Sequence, residues 1–218
     1  MKILISGSSR GIGLATAKKM LELGHEVYGI DILKSNIDNP RYHHYMCDIK
    51  NAADLPDIEG IEYIFNNAGK QNCEDDIANN LVGTINVTEK YINNSLRAIL
   101  FNASASSISG QEFPYYVASK AGVVGYMKNT AIRLAPQGVL VNAISLGGVL
   151  TDSNKLIIGD QESFNKIMDV TPLKKWTSEE EVADWVEFLF FKNRSMSGQN
   201  ILIDNGENDL NDRFVWPE

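Results

Sequence analysis

With 218 residues, 44% of them hydrophobic, the chain carries enough apolar material for one large globular core and too little length for a second sizeable domain. A formal net charge of −8 excludes nucleic acid and anionic membrane as main partners, because both would repel it, and it weighs against acidic protein partners. Cys47 and Cys73 lack metal-ligand spacing, no secretory leader is visible, and no apolar run approaches the ~18 residues of a membrane helix; the expectation is a cytoplasmic protein with reduced cysteines and no metal.

The first apolar run, Ile3-Leu4-Ile5, lies in a strand predicted over 2–6 and ends in Ser6-Gly7-Ser8-Ser9-Arg10-Gly11-Ile12-Gly13. A helical pattern follows from Leu14 to Leu23, with Gly24 as its stop. Strand, glycine turn and helix in that order suit a diphosphate. Glycine lets backbone approach it closely, and the helix N-terminus offers free N–H groups and the positive end of its dipole. Gly7, Ser9, Arg10, Gly11, Ile12 and Gly13 are the candidates there.

The spacing of that turn, G-x-x-x-G-x-G, resembles the short-chain dehydrogenase/reductase family. The resemblance implies a single α/β domain, a doubly wound Rossmann fold with a seven-stranded parallel sheet in the order 3-2-1-4-5-6-7, and a nicotinamide cofactor at the topological switch point. A second strand over 26–30 ends at Asp31, whose carboxylate can accept both hydroxyls of an adenosine ribose and would repel a 2′-phosphate. Asp31 therefore favours NAD, while Arg10 in the turn keeps NADP open.

A third strand over 42–47 runs into Asp48-Ile49, which resembles the family's acidic-aliphatic pair beside the adenine. The connection over 50–60 is too brief for a full helix with its loops and predicts a trimmed helix or a turn. The next strand, 61–65, leads into Asn66-Asn67-Ala68-Gly69, matching the family's N-N-A-G run beside the cofactor. A long helix is predicted over 75–96, with apolar positions at Ile77, Leu81, Ile85 and Ile92. Within it, Asn80-Leu81-Val82-Gly83 resembles the family's N-x-x-G segment. The resemblance implies that Asn80 holds a water in a proton relay, and a helical asparagine bonded to backbone is the alternative.

A fifth strand over 98–103 delivers Ser104, Ser106, Ser107 and Ser109. Further on, Tyr116 and Lys120 stand four apart at the start of a helical pattern and so share one face. A cation about 5 Å from a phenol at an effective dielectric of about 20 is worth roughly 3 kcal/mol, which predicts a Tyr116 pKa lowered by about two units. The family pairs such a tyrosine with a hydroxyl upstream; Ser104 is the choice and Ser106 the alternative.

The helix continues beyond Lys120 through Val123, Met127 and Leu134, with Gly122 and Gly125 permitting close approach of another helix. In the family this helix and its predecessor form a subunit interface, which implies a homodimer or homotetramer. After a sixth strand over 139–144, Ser145-Leu146-Gly147-Gly148 has leucine where the family has proline; Val149 and Thr151 stay in register as cofactor contacts. Residues 152–175 show no steady period and occupy the place of the family's substrate loop. A helix opening at Thr177-Ser178-Glu179-Glu180-Glu181 is expected to pack Trp185, Phe188, Leu189 and Phe190 on the sheet. A last strand over 201–203 ends in Asp204-Asn205-Gly206, near the family's closing D-G-G. The acidic tail, 207–218, carries Phe214, Val215 and Trp216, which are expected to fray or to dock on a neighbouring subunit or the site.

The resemblance spans residues 2–206. It implies hydride transfer between the cofactor and a secondary alcohol or ketone, with Tyr116 as acid/base, Lys120 lowering its pKa and binding ribose, Ser104 polarising the substrate oxygen and Asn80 supporting the relay. The substrate stays open among steroid, sugar alcohol, small diol and 3-oxoacyl thioester. A cofactor-binding regulator without turnover is the rival reading. An epimerase or dehydratase of the longer nucleotide-sugar branch would need a substrate domain that this length does not provide.

Overall fold

The computed structural model describes residues 1–208 and 210. The tail residues Phe214, Val215 and Trp216 lie outside them. Six short apolar runs and the aromatic-histidine edge segment Tyr42–Met46 form the strands β1 (Lys2–Ser6), β2 (Glu26–Asp31), β3 (Tyr42–Met46), β4 (Tyr63–Asn66), β5 (Ala98–Asn102), β6 (Leu140–Leu146) and β7 (Asn200–Ile203). They pair in parallel throughout, in the order β3-β2-β1-β4-β5-β6-β7. Ile3 of β1 faces Val27 on one side and Tyr63 on the other, which puts the first strand in mid-sheet. This is the single doubly wound α/β domain that the sequence predicts.

Parallel strands covered on both faces are apolar throughout, and alternate residues serve opposite cores. Leu4, Ile64, Phe101 and Val141 point to one side, where they meet Val87, Val123 and Met127. Ile3, Ile5, Phe65 and Leu100 point to the other, where they meet Ala17, Met20, Val182 and Val186. The helices supplying those partners are α2 (Gly83–Tyr91) and α4 (Pro114–Leu134) on the first face, α1 (Gly11–Glu22) and α7 (Glu179–Glu187) on the second. Helix α7 opens with a capping box: Ser178 Oγ accepts from the Glu181 N–H while the Glu181 carboxylate accepts from the Ser178 N–H.

The segment 50–60 contains a 3₁₀ turn, Ala52–Asp54, the turn that its brevity predicts. Three departures from expectation follow. The helix expected over 75–96 is shorter. It opens as a π-helical turn, Ile77–Val82, and α2 stops at Tyr91 because Asn93 turns back to donate to the Tyr91 carbonyl and accept from the Ser95 N–H. Residues 152–175 are largely helical, with α5 (Lys155–Gly159) and α6 (Gln161–Val170) following a 3₁₀ turn; Phe164, Ile167 and Met168 make a half-buried helical stripe. Trp185 lies on the outer side of α7, opposite the buried Val182 and Val186, and after α7 a second π-helical turn, Phe188–Lys192, shifts the register, so Leu189 and Phe190 are buried as expected while Phe188 faces outward. The remaining short helix is α3 (Ser106–Ser109). Among the described residues, no helix is long and apolar enough to cross a membrane.

Candidate active site

Gly7 and Gly11 have φ of +69° and +59°, in the region that favours glycine. A Cβ on Gly7 would lie 2.8 Å from Ala68 Cα, so the turn presses directly on the N-N-A-G segment. Helix α1 begins at Gly11 with no acid in its first turn and no side chain capping its N–H groups. Those uncapped donors, with Ile12 and Gly13 in the same turn, fit an anionic diphosphate. At the end of β2, Asp31 accepts from the Ser9 N–H and the Leu33 N–H, each at 2.9 Å, and Ser9 Oγ–H donates to the Leu33 carbonyl. Each Asp31 oxygen keeps acceptor capacity for a ribose hydroxyl, and Arg10 beside it is exposed. The residues present therefore fit a dinucleotide.

The N-N-A-G residues act mainly as braces. The Asn67 amide donates to the Ser6 and Gly7 carbonyls, Ser6 Oγ accepts from the N–H groups of Asn67 and Ala68, and Asn102 donates to Asn67 Oδ1 at 2.9 Å. Asn66 is buried and donates to Thr88 Oγ1 of α2. Asp48 accepts from the Lys50 N–H, and Ile49 is packed where a Cβ on Gly83 would lie 2.6 Å from its Cγ1. Gly69 lies between the Asn80 oxygen and the Lys120 ammonium, 3.3 and 3.4 Å from its would-be Cβ.

The expected catalytic residues come together from three elements. Ser104 stands just past β5, Tyr116 and Lys120 lie in the first two turns of α4, and Asn80 is in the π-helical turn. Ser104 Oγ accepts from both the N–H and the hydroxyl of Ser106, at 3.2 and 2.9 Å, which leaves its own hydrogen free to donate. Ser106 is thereby the residue that orients Ser104. Lys120 Nζ lies 5.7 Å from the Tyr116 ring centroid and donates to the Asn102 carbonyl.

The electrostatics differ from the prediction. Burial pushes the Tyr116 phenol up to about 12, with the Ser104 hydroxyl opposing the rise and the charges of Glu112 and Asp76 adding to it. Burial also brings Lys120 down to about 8, against the pull of Asp76 and Glu112. The lysine is present as foreseen, but loss of water dominates at the phenol, so the predicted lowering is corrected to a rise. The Asn80 amide spends all its capacity on protein groups: it donates to the Lys70 carbonyl and Ser119 Oγ and accepts from the Lys70 N–H and the Asn79 amide. Its side chain pins Ser119, and through Ser119 the turn of α4 that carries the Tyr116 carbonyl.

On the far side, Val149 is buried and pairs with Thr177, and Thr151 follows half-buried at the foot of the 152–175 segment. Trp176 lies flat over Gly148, where a methyl group would overlap the indole, and Phe164 of α6 packs edge-on against it at 5.2 Å. Neither Trp176 nor Asp76, a fully buried acid, stands out by motif. The signals for them were an indole next to a Gly-Gly pair in the fold and an acid one turn before Asn80.

Residues 49–208 match the sequence-family model described as enoyl-(acyl carrier protein) reductase. The chain is 26% identical to a 3-oxoacyl-(acyl-carrier-protein) reductase of Buchnera aphidicola, over 93% of this chain and 95% of that one. A short chain dehydrogenase family protein of Francisella tularensis superposes with a TM-score of 0.86 at 25% identity, covering 96% of this chain and 99% of that chain. A 4-hydroxyisoleucine dehydrogenase complexed with NADH, at 23% identity, has the same fold with a TM-score of 0.88, covering 96% and 99% of the two chains.

Proposed function

The chain belongs to the short-chain dehydrogenase/reductase family, and on that premise we propose that it moves hydride between a nicotinamide cofactor and a secondary alcohol or ketone, with Ser104, Tyr116 and Lys120 as catalytic residues. The observation that carries this reading is the meeting of the Ser104 hydroxyl, the Tyr116 phenol and the buried Lys120 ammonium beside the uncapped start of α1.

When bound, the nicotinamide supplies or accepts the hydride. Ser104, its oxygen held by Ser106, donates to the substrate oxygen and polarises it. Tyr116 gives that oxygen a proton in reduction and takes it back in oxidation. A phenol raised to about 12 holds its proton until the substrate oxygen gathers charge, which suits reduction at neutral pH. Lys120, fixed by the Asn102 carbonyl, keeps a cation beneath the ring, and Asn80 keeps the start of α4 in place through Ser119.

Asp31 favours NAD; Arg10 is the residue through which NADP would be held. Gly7, Ser9, Gly11, Ile12 and Gly13 would carry the diphosphate, Asp48, Ile49 and Asn66 to Gly69 the adenine side and the near wall, and Val149 and Thr151 the carboxamide end. The 152–175 segment, latched through Phe164 on Trp176, would cover the substrate. The outward side of α4, with Ile132 76% exposed and open space beyond Gly125, supports a homodimer or homotetramer. The named relative's acyl-carrier-protein substrate suits this chain poorly, given its own net charge of −8.

The test is quenching of tryptophan fluorescence by NADH and by NADPH, followed by nicotinamide absorbance screening against pools of alcohols and ketones. Tighter NADH binding with turnover supports the reading. Tight binding without turnover in any pool would favour a regulator, and binding of neither cofactor would overturn the cofactor assignment.

A further inference from the structure

A cavity of about 240 Å³ lies directly beside the start of α4, between that helix and the short segment that follows Gly69. Phe113 and Tyr115, both substantially exposed, form aromatic walls, Glu74 is on its rim, and Asp76 lines its depth. Asp76 is fully buried, and neither of its carboxyl oxygens has a hydrogen-bond partner among the described residues. A carboxyl group withdrawn from water is normally compensated, so one left without donors beside a cavity points to a positive charge that arrives with a ligand.

The charged residues that line this space, Glu74 and Asp76, are both acidic. Glu112, just before α4, and Glu207, just after β7, each have a carboxyl pushed up by burial, and the charge of Glu112 raises Glu207 further, so the two carboxyls lie close enough to interact. The charges of Asp76 and Glu112 both reach Tyr116 and Lys120. The lysines near this side are engaged with protein groups, Lys120 with the Asn102 carbonyl, and Lys50 and Lys70 with Asp75 at 2.7 and 3.8 Å.

We propose that this cavity recognises a cationic nitrogen, so that the alcohol or ketone handled at Tyr116 carries an ammonium group held against Phe113 and Tyr115, with the buried Asp76 carboxyl behind them drawing it in. An aromatic face and a desolvated carboxylate are the two environments that stabilise such a cation, and here they adjoin. Glu112 and Glu207 steer the cation inward and turn away carboxylates and phosphates. The inference rests on the reading of Tyr116 as the reacting phenol.

The experiment compares choline with 3,3-dimethylbutan-1-ol, its uncharged isostere, by calorimetric titration of the protein with and without saturating NADH. The charged probe is expected to bind at least about tenfold tighter. Asp76→Asn, which keeps the shape and removes the charge, is expected to abolish that preference, and Phe113→Leu to weaken choline alone. Equal binding of the two probes, or a preference undiminished in D76N, would overturn the proposal. NADH binding is followed by fluorescence in the same samples. Its failure counts against the oxidoreductase reading, while the probe comparison on the free protein still decides for or against the pocket.

Discussion

Lys120 donates from its ammonium nitrogen to the Asn102 carbonyl at 2.7 Å, so the side chain that reaches the reacting phenol also ties α4 to the end of β5. That tie does not compensate for burying the charge, because burial lowers the lysine to about 8 from an ordinary 10.5. The unfolded chain binds this proton more tightly than the folded one, so the penalty is present in full below about pH 8 and fades as pH rises to about 10.5. It amounts to about 3 kcal/mol, and the orphaned Asn102 carbonyl would cost about 1 in return. Lys120→Met is therefore expected to abolish turnover while stabilising the fold by about 2 kcal/mol near pH 7. Urea unfolding near pH 7 and pH 10 measures it; a variant less stable than wild type at both would contradict the argument.

Tyr116→Phe keeps the aromatic body and removes the proton carrier. Turnover is expected to fall by about 10³ or more, with NADH affinity within about twofold of wild type. In the wild type, a phenol pushed up to about 12 must lose its proton before it acts as base, so kcat/KM for alcohol oxidation should rise up to about tenfold per pH unit below pH 8, where Lys120 keeps its charge. A flat profile for oxidation would show that another group takes the proton.

Asp31→Ala removes the acceptor of two backbone N–H groups together with the charge that would meet a 2′-phosphate. The ratio of NADH to NADPH affinity is expected to fall by about tenfold or more. Paired fluorescence titrations decide, and an unchanged ratio would mean that a different carboxylate sets the preference.

Gly148→Ala places a methyl group inside the Trp176 indole. The ring must leave Gly148 and its edge-on contact with Phe164. The variant should lose about 2 kcal/mol or more and show tryptophan emission shifted to the red. Trp176→Phe in the same background should recover part of the stability, since the smaller ring leaves room.

The strands and their order were legible because most runs stop at a glycine, asparagine or aspartate, and the site motifs stand at those stops. What stayed hidden depends on a register or a third dimension. A π-helical turn inserts a residue without changing composition, so nothing in Phe188-Leu189-Phe190 tells which ring turns outward. The stripe Phe164, Ile167 and Met168 is only half-buried, and its contrast with its neighbours is correspondingly weak. Glu74-Asp75-Asp76 reads as an acidic run, yet Asp75 pairs with Lys50 at 2.7 Å on the surface and Asp76 is sealed beneath α4. The pairing of Tyr116 with Lys120 was visible, but the loss of water that reverses the direction of its pKa shift was not.

The mid-sheet place of β1 has a consequence for the order of events during synthesis. Its Ile3 waits for Tyr63 as well as Val27, so β1, made well before β4, stays half-paired until β4 has followed it. An all-parallel sheet offers no hairpin to shelter that apolar edge meanwhile. The nascent segment is the stage at which this chain would need a chaperone most, and destabilising changes in β4 would show first as poor yield of folded protein.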